Sequence, residues 1–536
     1  MLSIAVLPWD LRHLGTEEGW RSAWGRTGSF LSGFASPDLS SRTLTLAAEL
    51  TAETLAIAVL GVSLALLLAY PLAVLASDAV LDDGAGRGRS RSRIRTVVRE
   101  VFRFLLDAMR GVPDFAWALV LLTIFGPTAL TAVLAIAVNA AGILGKIFSE
   151  LWDGVPRAHR DVLRSAGASR WQVLIYGTQP LAGRAMLSFL LMRFECTVRN
   201  ASVIGAVCGG GLGAAVLQEI GYDNKARGVT FLGAALLLTV AVDFASNALR
   251  RLVRQERNTT IQAARLRRRI AGFGVASAIG ASLFLIRRPI LELGTELRRL
   301  DLRYLREHYG QLLVPDLSGQ ALGDALQGVT VPLALGVLST LIACGLAVVF
   351  AWLGSATFQL RAHEFAPERT PGILRLGRTA VVVVSRVVSA ILRGLPEVAW
   401  VWILALFFLT GVEAALGALL LHSAGVLARV FTESVDNVPY RRLEHIGAPS
   451  RASAFVHGAV PLVRLEWRTY AMFQFESNVR AGVVLGIVGV GGLGFLFRSA
   501  LAHGSMGRAS TFLLTMVLLT VVIDRISRRI QRGPRC

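Results

Sequence analysis

The stretch MRFECTVRNASVIGAVCGGGLG, residues 192–213, returns as FQFESNVRAGVVLGIVGVGGLG, residues 473–494. Glu195 maps to Glu476, Arg199 to Arg480 and Gly213 to Gly494, each displaced by 281 positions. Asp243-Phe-Ala-Ser246 returns at the same displacement as Asp524-Arg-Ile-Ser527. Solenoid repeats recur every 20–50 residues or so. A period this long is instead a duplicated domain, and two equal membrane halves usually enclose a path between them.

Membrane halves are expected from composition. Of 536 residues, 54% are hydrophobic and only 17% charged, against about 25% charged in soluble proteins; the mean hydropathy is +0.56. The net charge is +20, but the arginines cluster at the ends of apolar runs, as in Arg87 to Arg99 and Arg250 to Arg269. Cytoplasmic membrane loops have that distribution. No basic groove with interleaved aromatics is visible, so no nucleic-acid partner is expected. Cys196, Cys208, Cys344 and Cys536 form no CxxC pair or disulfide framework, and the eight histidines form no ligand cluster, so no metal site and no cofactor are expected. The start, MLSIAVLPWDLRHLG, does not read as a cleaved signal peptide.

A helix needs about 20 apolar residues to cross the hydrocarbon core. The first half offers 52–76, 103–126, 128–148, 181–205 and 229–249; the second offers 329–354, 386–410, 412–432, 462–486 and 510–526. The glycine-rich stretches 205–213 and 486–494 are expected to bend or unwind at membrane depth. The loop 86–100, with six arginines, and the stretch 250–270 are both basic and belong in the cytoplasm. Five crossings then put the beginning of the first half outside and its end inside. For the second half to point the same way, an odd number of crossings must intervene, and Ile270–Ile286 is the one available segment. The expected total is eleven, with the basic C-terminus inside and the N-terminus outside. This places 287–328 outside despite Arg287, Arg288, Arg298, Arg299, Arg303 and Arg306. The domains expected are an N-terminal segment, 1–50; a first half, 51–255; a linker, 256–328; and a second half, 329–536.

Each half interrupts its apolar pattern with a polar segment, SELWDGVPRAHRDVLRSAGASRWQVLIYGTQP (149–180) and TESVDNVPYRRLEHIGAPSRASAFVHGAVP (432–461). Both run Glu, Asp three residues on, Pro, a helical stretch, Gly-Ala, a polar turn and a closing Pro. The plain reading is helix, glycine break, second helix: an elbow projecting on the cytoplasmic side, twice over. A solvated loop is the other reading.

The elbow resembles the loop of ABC-importer permeases that carries the EAA pattern. Asp161-Val162-Leu163, Gly167 and Pro180 fit its spacing; Arg441-Arg442-Leu443 and Gly447 fit, with Pro461 one residue late. Neither copy has the literal Glu-Ala-Ala, and the first has three extra residues between Pro and Gly. FExxVR followed by GGxG, the paired MRGVPDFAWAL (109–119) and LRGLPEVAWVW (392–402), and the closing DxxS are similar to the phosphonate-type permeases of that group. The resemblance covers about 45–255 and 325–530. It implies an all-α integral membrane fold: two tandem five-helix bundles of the type I, MetI-like importer class, fused in one chain with a linker transmembrane helix. It also implies the permease subunit of an ATP-driven importer for phosphonate, phosphate or phosphite in a bacterial inner membrane. The subunit would be no enzyme itself; an ABC ATPase dimer would bind below and an extracytoplasmic substrate-binding protein would deliver cargo. In the family the elbow sits in a groove on the ATPase, which would make the residues around Gly167 and Gly447 the coupling element.

Glu195/Arg199 and Glu476/Arg480 are spaced i, i+4 and share a helix face. With Gly209, Gly210, Gly211, Gly489, Gly491 and Gly492 they are candidates for a substrate pathway, because an arginine fork matches tetrahedral oxyanions. An internal salt bridge fixing a helix bend explains the same spacing. Arg110 and Arg393 precede Pro113 and Pro396, which mark possible hinges, and Asp243 and Asp524 suit a structural pairing with nearby arginines. GGGLGAA (209–215) lacks the βαβ setting of a dinucleotide site, and GILGK (142–146) is no P-loop. Three alternatives remain: the same machine with another small cargo such as methionine; a gradient-driven secondary transporter, whose inverted repeats conflict with basic loops recurring on one side; and a non-transporting membrane scaffold, which leaves the paired elbow and paired charge motifs unexplained.

Overall fold

The computed structural model describes residues 17–81, 89–222, 224–254, 261–287, 291, 310–360, 372–408, 411–444 and 450–532. Among these residues there is no strand. The principal helices are α1 (Glu17–Ala35), α2 (Ser41–Ala76), α3 (Arg89–Gly111), α4 (Asp114–Phe125), α5 (Ala129–Asp153), α6 (Arg157–Ser165), α7 (Gln179–Cys208), α8 (Gly211–Gly221), α9 (Lys225–Arg254), α10 (Ile261–Leu285), α11 (Gly319–Gly354), α12 (Gly372–Gly394), α13 (Glu397–Phe408), α14 (Val412–Asp436), α15 (Tyr440–Glu444), α16 (Val460–Leu485), α17 (Gly492–Ala502) and α18 (Met506–Arg532). One compact unit comprises residues 31–313; the other comprises 1–30 and 314–536.

In each unit the first long helix follows the same start, Pro-Asp-Leu-Ser, at 37–40 and 315–318. Ser40 caps α2 by accepting from the Thr43 N–H, and Ser318 caps α11 by accepting from Ala321 N–H. Each helix has 36 residues. At 1.5 Å per residue that is about 54 Å, longer than the roughly 30 Å hydrocarbon core. In the first unit α2 packs on α5 through a seam of alanines, Ala65, Ala69, Ala73, Ala140 and Ala141, which lets the backbones approach and closes over Leu144, Phe148 and Trp152. The second unit repeats this with Ala343, Ala347, Ala351, Ala424 and Ala428, and Phe431 stacks on Trp467 at 4.4 Å.

The amphipathic helix α3 is inside-out by the standards of a soluble protein. Ile94, Val97, Val101 and Phe104 form an exposed apolar stripe, while Arg103, Asp107 and Arg110 turn to polar partners within the unit. Lipid as solvent demands this polarity, because ionic groups must find protein partners.

Six helices are long and apolar enough to cross a membrane, and three bent helix pairs pass as broken spans, among the described residues. The crossings expected at 103–126 and 386–410 are bent by 87° between α3 and α4 and by 93° between α12 and α13. The expected crossing at 181–205 is part of a pair bent by 55° between α7 and α8. Helix α16 carries Arg464, Glu466, Arg468, Glu476 and Arg480 and is too charged to read as a span by composition. The linker segment expected at 270–286 lies in α10, a 25-residue helix whose apolar part is Phe273–Leu285.

Candidate functional site

The two sharp bends explain the repeated Arg-Gly-x-Pro-x-x-Ala-Trp motif. Proline removes an N–H and breaks the helical ladder, so carbonyls before it need other donors. In the first unit Trp117 Nε1 donates to the Met109 carbonyl at 3.2 Å, and Asn139 Nδ2 donates to the Val112 carbonyl at 2.9 Å. In the second, Trp400 Nε1 donates to Leu392 at 3.0 Å, and His422 Nδ1 faces the Leu395 carbonyl at 2.9 Å. A carbonyl oxygen only accepts, so Nδ1 carries the proton there. The bends are therefore braced rather than loose. Beyond the braces the units diverge. Asn139 Oδ1 accepts from Arg193 at 3.0 Å, and Asn200 Nδ2 donates to Asp114 at 2.7 Å. In the second unit His422 Nε2 lies 3.3 Å from Glu397, and a buried amide network links Gln474, Asn478, Ser423, Ser339 and Thr340.

The glycine-rich stretches turn the chain back on itself. Gly209 and Gly211 have φ of 79° and 65°, and Gly489, Gly491 and Gly492 have φ of 126°, 99° and 74°. These are left-handed conformations that side chains resist. Both Gly209 and Gly210 N–H groups donate to the Gly205 carbonyl, and Leu212 N–H donates to Thr54 Oγ1 of α2. A Cβ on Gly213 would run into the Ser202 carbonyl oxygen, and one on Gly494 into that of Val483. Glycine is required here by the close approach of two backbone segments.

Of the expected Glu/Arg pairs, Glu476 and Arg480 come together at 3.6 Å. Glu195 instead bonds Arg250 of α9 at 3.1 Å, with Asp243 and Arg199 also facing it. The sequence spacing anticipated the partnership within one helix but not the arginine from the next.

The elbow has the expected helix, glycine break and second turn. Helix α6 ends at Gly167, φ 83°, with N–H bonds from Gly167 to Arg164 O and from Ala168 to Leu163 O. Ser169 then forms a reciprocal capping box with Gln172, a π-helical turn spans 173–178, and Pro180 sits in the first turn of α7. The second unit repeats the sequence: Ser450 cap, π-helical turn at 454–459, and Pro461 in the first turn of α16. Arg441 lies in α15, while Gly447 falls outside the described residues. Asp161 reaches Arg164 at 3.6 Å. Val162, Trp171 and Tyr176 are 69%, 61% and 73% exposed. Large apolar side chains in that position suit a partner rather than water.

A carboxylate at the base of each elbow was not singled out by the sequence. Asp153 accepts from Ser77 Oγ at 2.7 Å, Ala79 N–H at 2.8 Å and Arg103 at 2.9 Å. Asp436 accepts from Ser355 Oγ at 2.6 Å, Thr357 N–H at 3.1 Å and Arg386 at 2.8 Å. Each lock joins the end of the first long helix, the amphipathic helix and the helix that feeds the elbow. The signal was present, since both Asp residues precede Pro by three positions. A second duplicated device lies at the other end of the bundle. Asp38 N–H donates to the Ala226 carbonyl and Thr230 Oγ1 donates to the Asp38 carbonyl; Asp316 and Thr511 repeat the second bond, with Gly507 in place of Ala226. Hydrogen bonds from the Thr43 hydroxyl and Ser40 N–H hold the Asp38 carboxyl below its ordinary value, and the Ser318 N–H does so for Asp316.

Residues 85–257 match the family model described as binding-protein-dependent transport system inner membrane component. The chain is 32% identical over 258 residues to a putative phosphite transport system permease protein, HtxC, of Stutzerimonas stutzeri, covering 47% of this chain and 84% of that protein. The chain belongs to that inner-membrane family. It is also 25% identical over 491 residues to the phosphate-import permease protein PhnE of Mycolicibacterium smegmatis, covering 89% of this chain and 84% of the relative. A shorter relative, the putative cryptic phosphonate transport system permease protein PhnE2 of Escherichia coli, is 30% identical over 118 residues, 96% of its length. No solved structure matches the chain. The protein is thus a multi-pass permease subunit of an ABC importer, a transport component rather than an enzyme. The long match to a single relative fits a permease carrying both halves in one chain.

Proposed function

We propose that this permease carries a phosphorus oxyanion, namely phosphate, phosphite or a phosphonate, across the bacterial inner membrane in an ATP-driven importer. The elbow carries the mechanical part of this reading: a short helix, locked at its base by Asp153 and capped beyond Gly167, offers exposed Val162, Trp171 and Tyr176. A rigid lever with an apolar tip is what a motor subunit grips. Two such levers, with Asp161, Gly167 and Pro180 in one and Arg441, Gly447 and Pro461 in the other, call for two ATPase copies on the cytoplasmic side. An extracytoplasmic binding protein delivers the cargo. The oxyanion is supported by the names of the relatives, which are those of phosphate, phosphite and phosphonate transport permeases.

In this reading residues 51–255 and 329–536 are the two permease halves, pointing the same way, with α10 crossing between them. The N-terminus is outside and the C-terminus in the cytoplasm. Glu195, Arg199, Glu476 and Arg480, with the turns at Gly209, Gly210, Gly211, Gly489, Gly491 and Gly492, hold the bent segments that flank the route. The test is reconstitution with a cognate ABC ATPase and an extracytoplasmic binding protein. ATP hydrolysis and uptake should rise with phosphate, phosphite or methylphosphonate and stay basal with methionine. Stimulation by methionine alone would overturn the cargo assignment.

A further inference from the structure

The middle of α7 carries an arginine that neither the elbow nor the glycine turns explain. Arg193 divides α7 (Gln179–Cys208) almost equally, so its Cα stands about 21 Å from either end at 1.5 Å per residue. In the importer reading α7 rises from the cytoplasmic elbow, which sets Arg193 at membrane depth. An ionised side chain there has to face a cavity or a partner. Arg193 has one partner, and it is neutral. Its Nη2 donates to Asn139 Oδ1 at 3.0 Å, while its buried Nε has no acceptor among the described residues. No described carboxylate pairs with it. Glu195, two positions on, bonds Arg250 at 3.1 Å, and Asp114 of the neighbouring bend accepts from Asn200 at 2.7 Å. Stretching to the membrane surface, the usual escape for an arginine among lipids, is closed to it. Asn139 is 5% exposed and its Nδ2 is bonded to the Val112 carbonyl, so the guanidinium is pinned inside the unit.

The second unit shows how the same place is filled without a charge. Offset by 281 residues, the counterpart of Arg193 is Gln474. Its Nε2 donates to Ser423 Oγ at 3.0 Å and to Asn478 Oδ1 at 2.9 Å, and Asn478 donates onward to Ser339 and Thr340. That network is neutral and closed on itself, so packing alone does not call for an arginine here. A guanidinium has five N–H groups, and Asn139 takes one. The remaining fork matches the oxygens of a tetrahedral oxyanion.

We infer that Arg193 is an oxyanion-contacting residue of the first half: it takes a phosphate-class group on the donors that Asn139 leaves open, and the cargo brings the negative charge that the chain withholds. This rests on the importer reading. Lipid headgroups lie outside the hydrocarbon core, about 15 Å from its middle, so the ligand is a free oxyanion.

The experiment measures equilibrium binding of radiolabelled phosphate and methylphosphonate to the full chain in a phosphorus-free detergent. Uptake is measured in parallel by the importer reconstituted with a cognate ABC ATPase and binding protein. Arg193→Gln copies the residue of the second unit and should weaken both ligands by about a hundredfold, the effect of removing one member of a hydrogen-bonded charge pair. Arg193→Lys keeps the charge without the fork and should lose about tenfold; it decides the matter alone if Arg193→Gln does not fold. Arg184→Gln removes an equal charge from an exposed position on the same helix and should bind as the wild type does. Thermal unfolding separates a ligand role from a structural one, since Arg193→Gln should unfold no earlier than the wild type. Early unfolding with unchanged binding would make Arg193 a brace and overturn the site. No binding to the wild type, wild-type binding in both Arg193 variants, or equal weakening in Arg184→Gln would overturn it too. Wild-type uptake in Arg193→Gln would remove the site and leave the importer reading intact. Binding that depends on Arg193, in a wild type that takes up no phosphorus oxyanion once reconstituted, would fault the importer reading and leave the site standing.

Discussion

At the scale of single residues, the glycines of the repeat separate into those that bend the chain and those that let two backbones touch. Gly213 and Gly494 belong to the second kind, since an added Cβ lands on the carbonyl oxygens of Ser202 and Val483. A backbone oxygen cannot swing aside as a flexible side chain can. Gly213→Ala and Gly494→Ala should each destabilise the protein by about 1–3 kcal/mol, the usual range for overpacking, or more. Gly183→Ala is the control: nothing lies within 4 Å of its added Cβ, and replacing a helical glycine by alanine is worth about 0.5–1 kcal/mol of stability. Thermal unfolding in detergent reads all three. Wild-type stability in Gly213→Ala and Gly494→Ala would remove the close-approach account. These glycines were legible as a run that bends at membrane depth. Their pairing with particular carbonyls was not, because it depends on how α8 folds back along α7.

At the scale of elements, the lock under each elbow decides whether a push on α6 or α15 moves the bundle or only the loop. Asp153 ties three chain segments through one carboxylate, and Asp436 repeats the arrangement. A hydrogen bond to a charged group contributes about 1.5–3 kcal/mol. Arg103 is about one-third exposed, so solvent screening pulls the ionic part toward the low end. Asp153→Ala and Asp436→Ala should therefore lower stability by about 1.5–3 kcal/mol, with Ser77→Ala near 1 kcal/mol. In the reconstituted importer they should reduce uptake per ATP hydrolysed while hydrolysis continues. Unchanged coupling in both Asp variants would show that the lock carries no force. The sequence made the elbow legible through its proline, glycine and polar turn, which act locally. It hid the lock, because Ser77, Arg103 and Asp153 lie 26 to 76 positions apart and no local pattern links them. The right-angle bends were half legible: Pro113 and Pro396 marked hinges, yet α3 and α4 read as one apolar run because hydropathy is blind to direction.

At the scale of the whole molecule, the duplicated locks and straps make a claim about sides. The Pro-Asp-Leu-Ser straps sit at the start of α2 and α11, and the elbows follow the ends of α5 and α14. If both halves point the same way, the straps share one side of the membrane and the elbows the other. If the first half crosses five times between Leu39 and Leu317, an agreed side for both leucines requires α10 to cross as well. Single cysteines at Leu39, Leu317, Tyr176 and Val456, all exposed, in a parent with Cys196, Cys208, Cys344 and Cys536 replaced, test this directly. A membrane-impermeant maleimide should label Leu39→Cys and Leu317→Cys from outside, and Tyr176→Cys and Val456→Cys from the cytoplasmic side alone. Leu39→Cys and Leu317→Cys on opposite sides would mean that α10 lies on the membrane instead of crossing it. Tyr176→Cys and Val456→Cys on opposite sides would make the halves inverted, and two levers could then no longer meet one pair of ATPases.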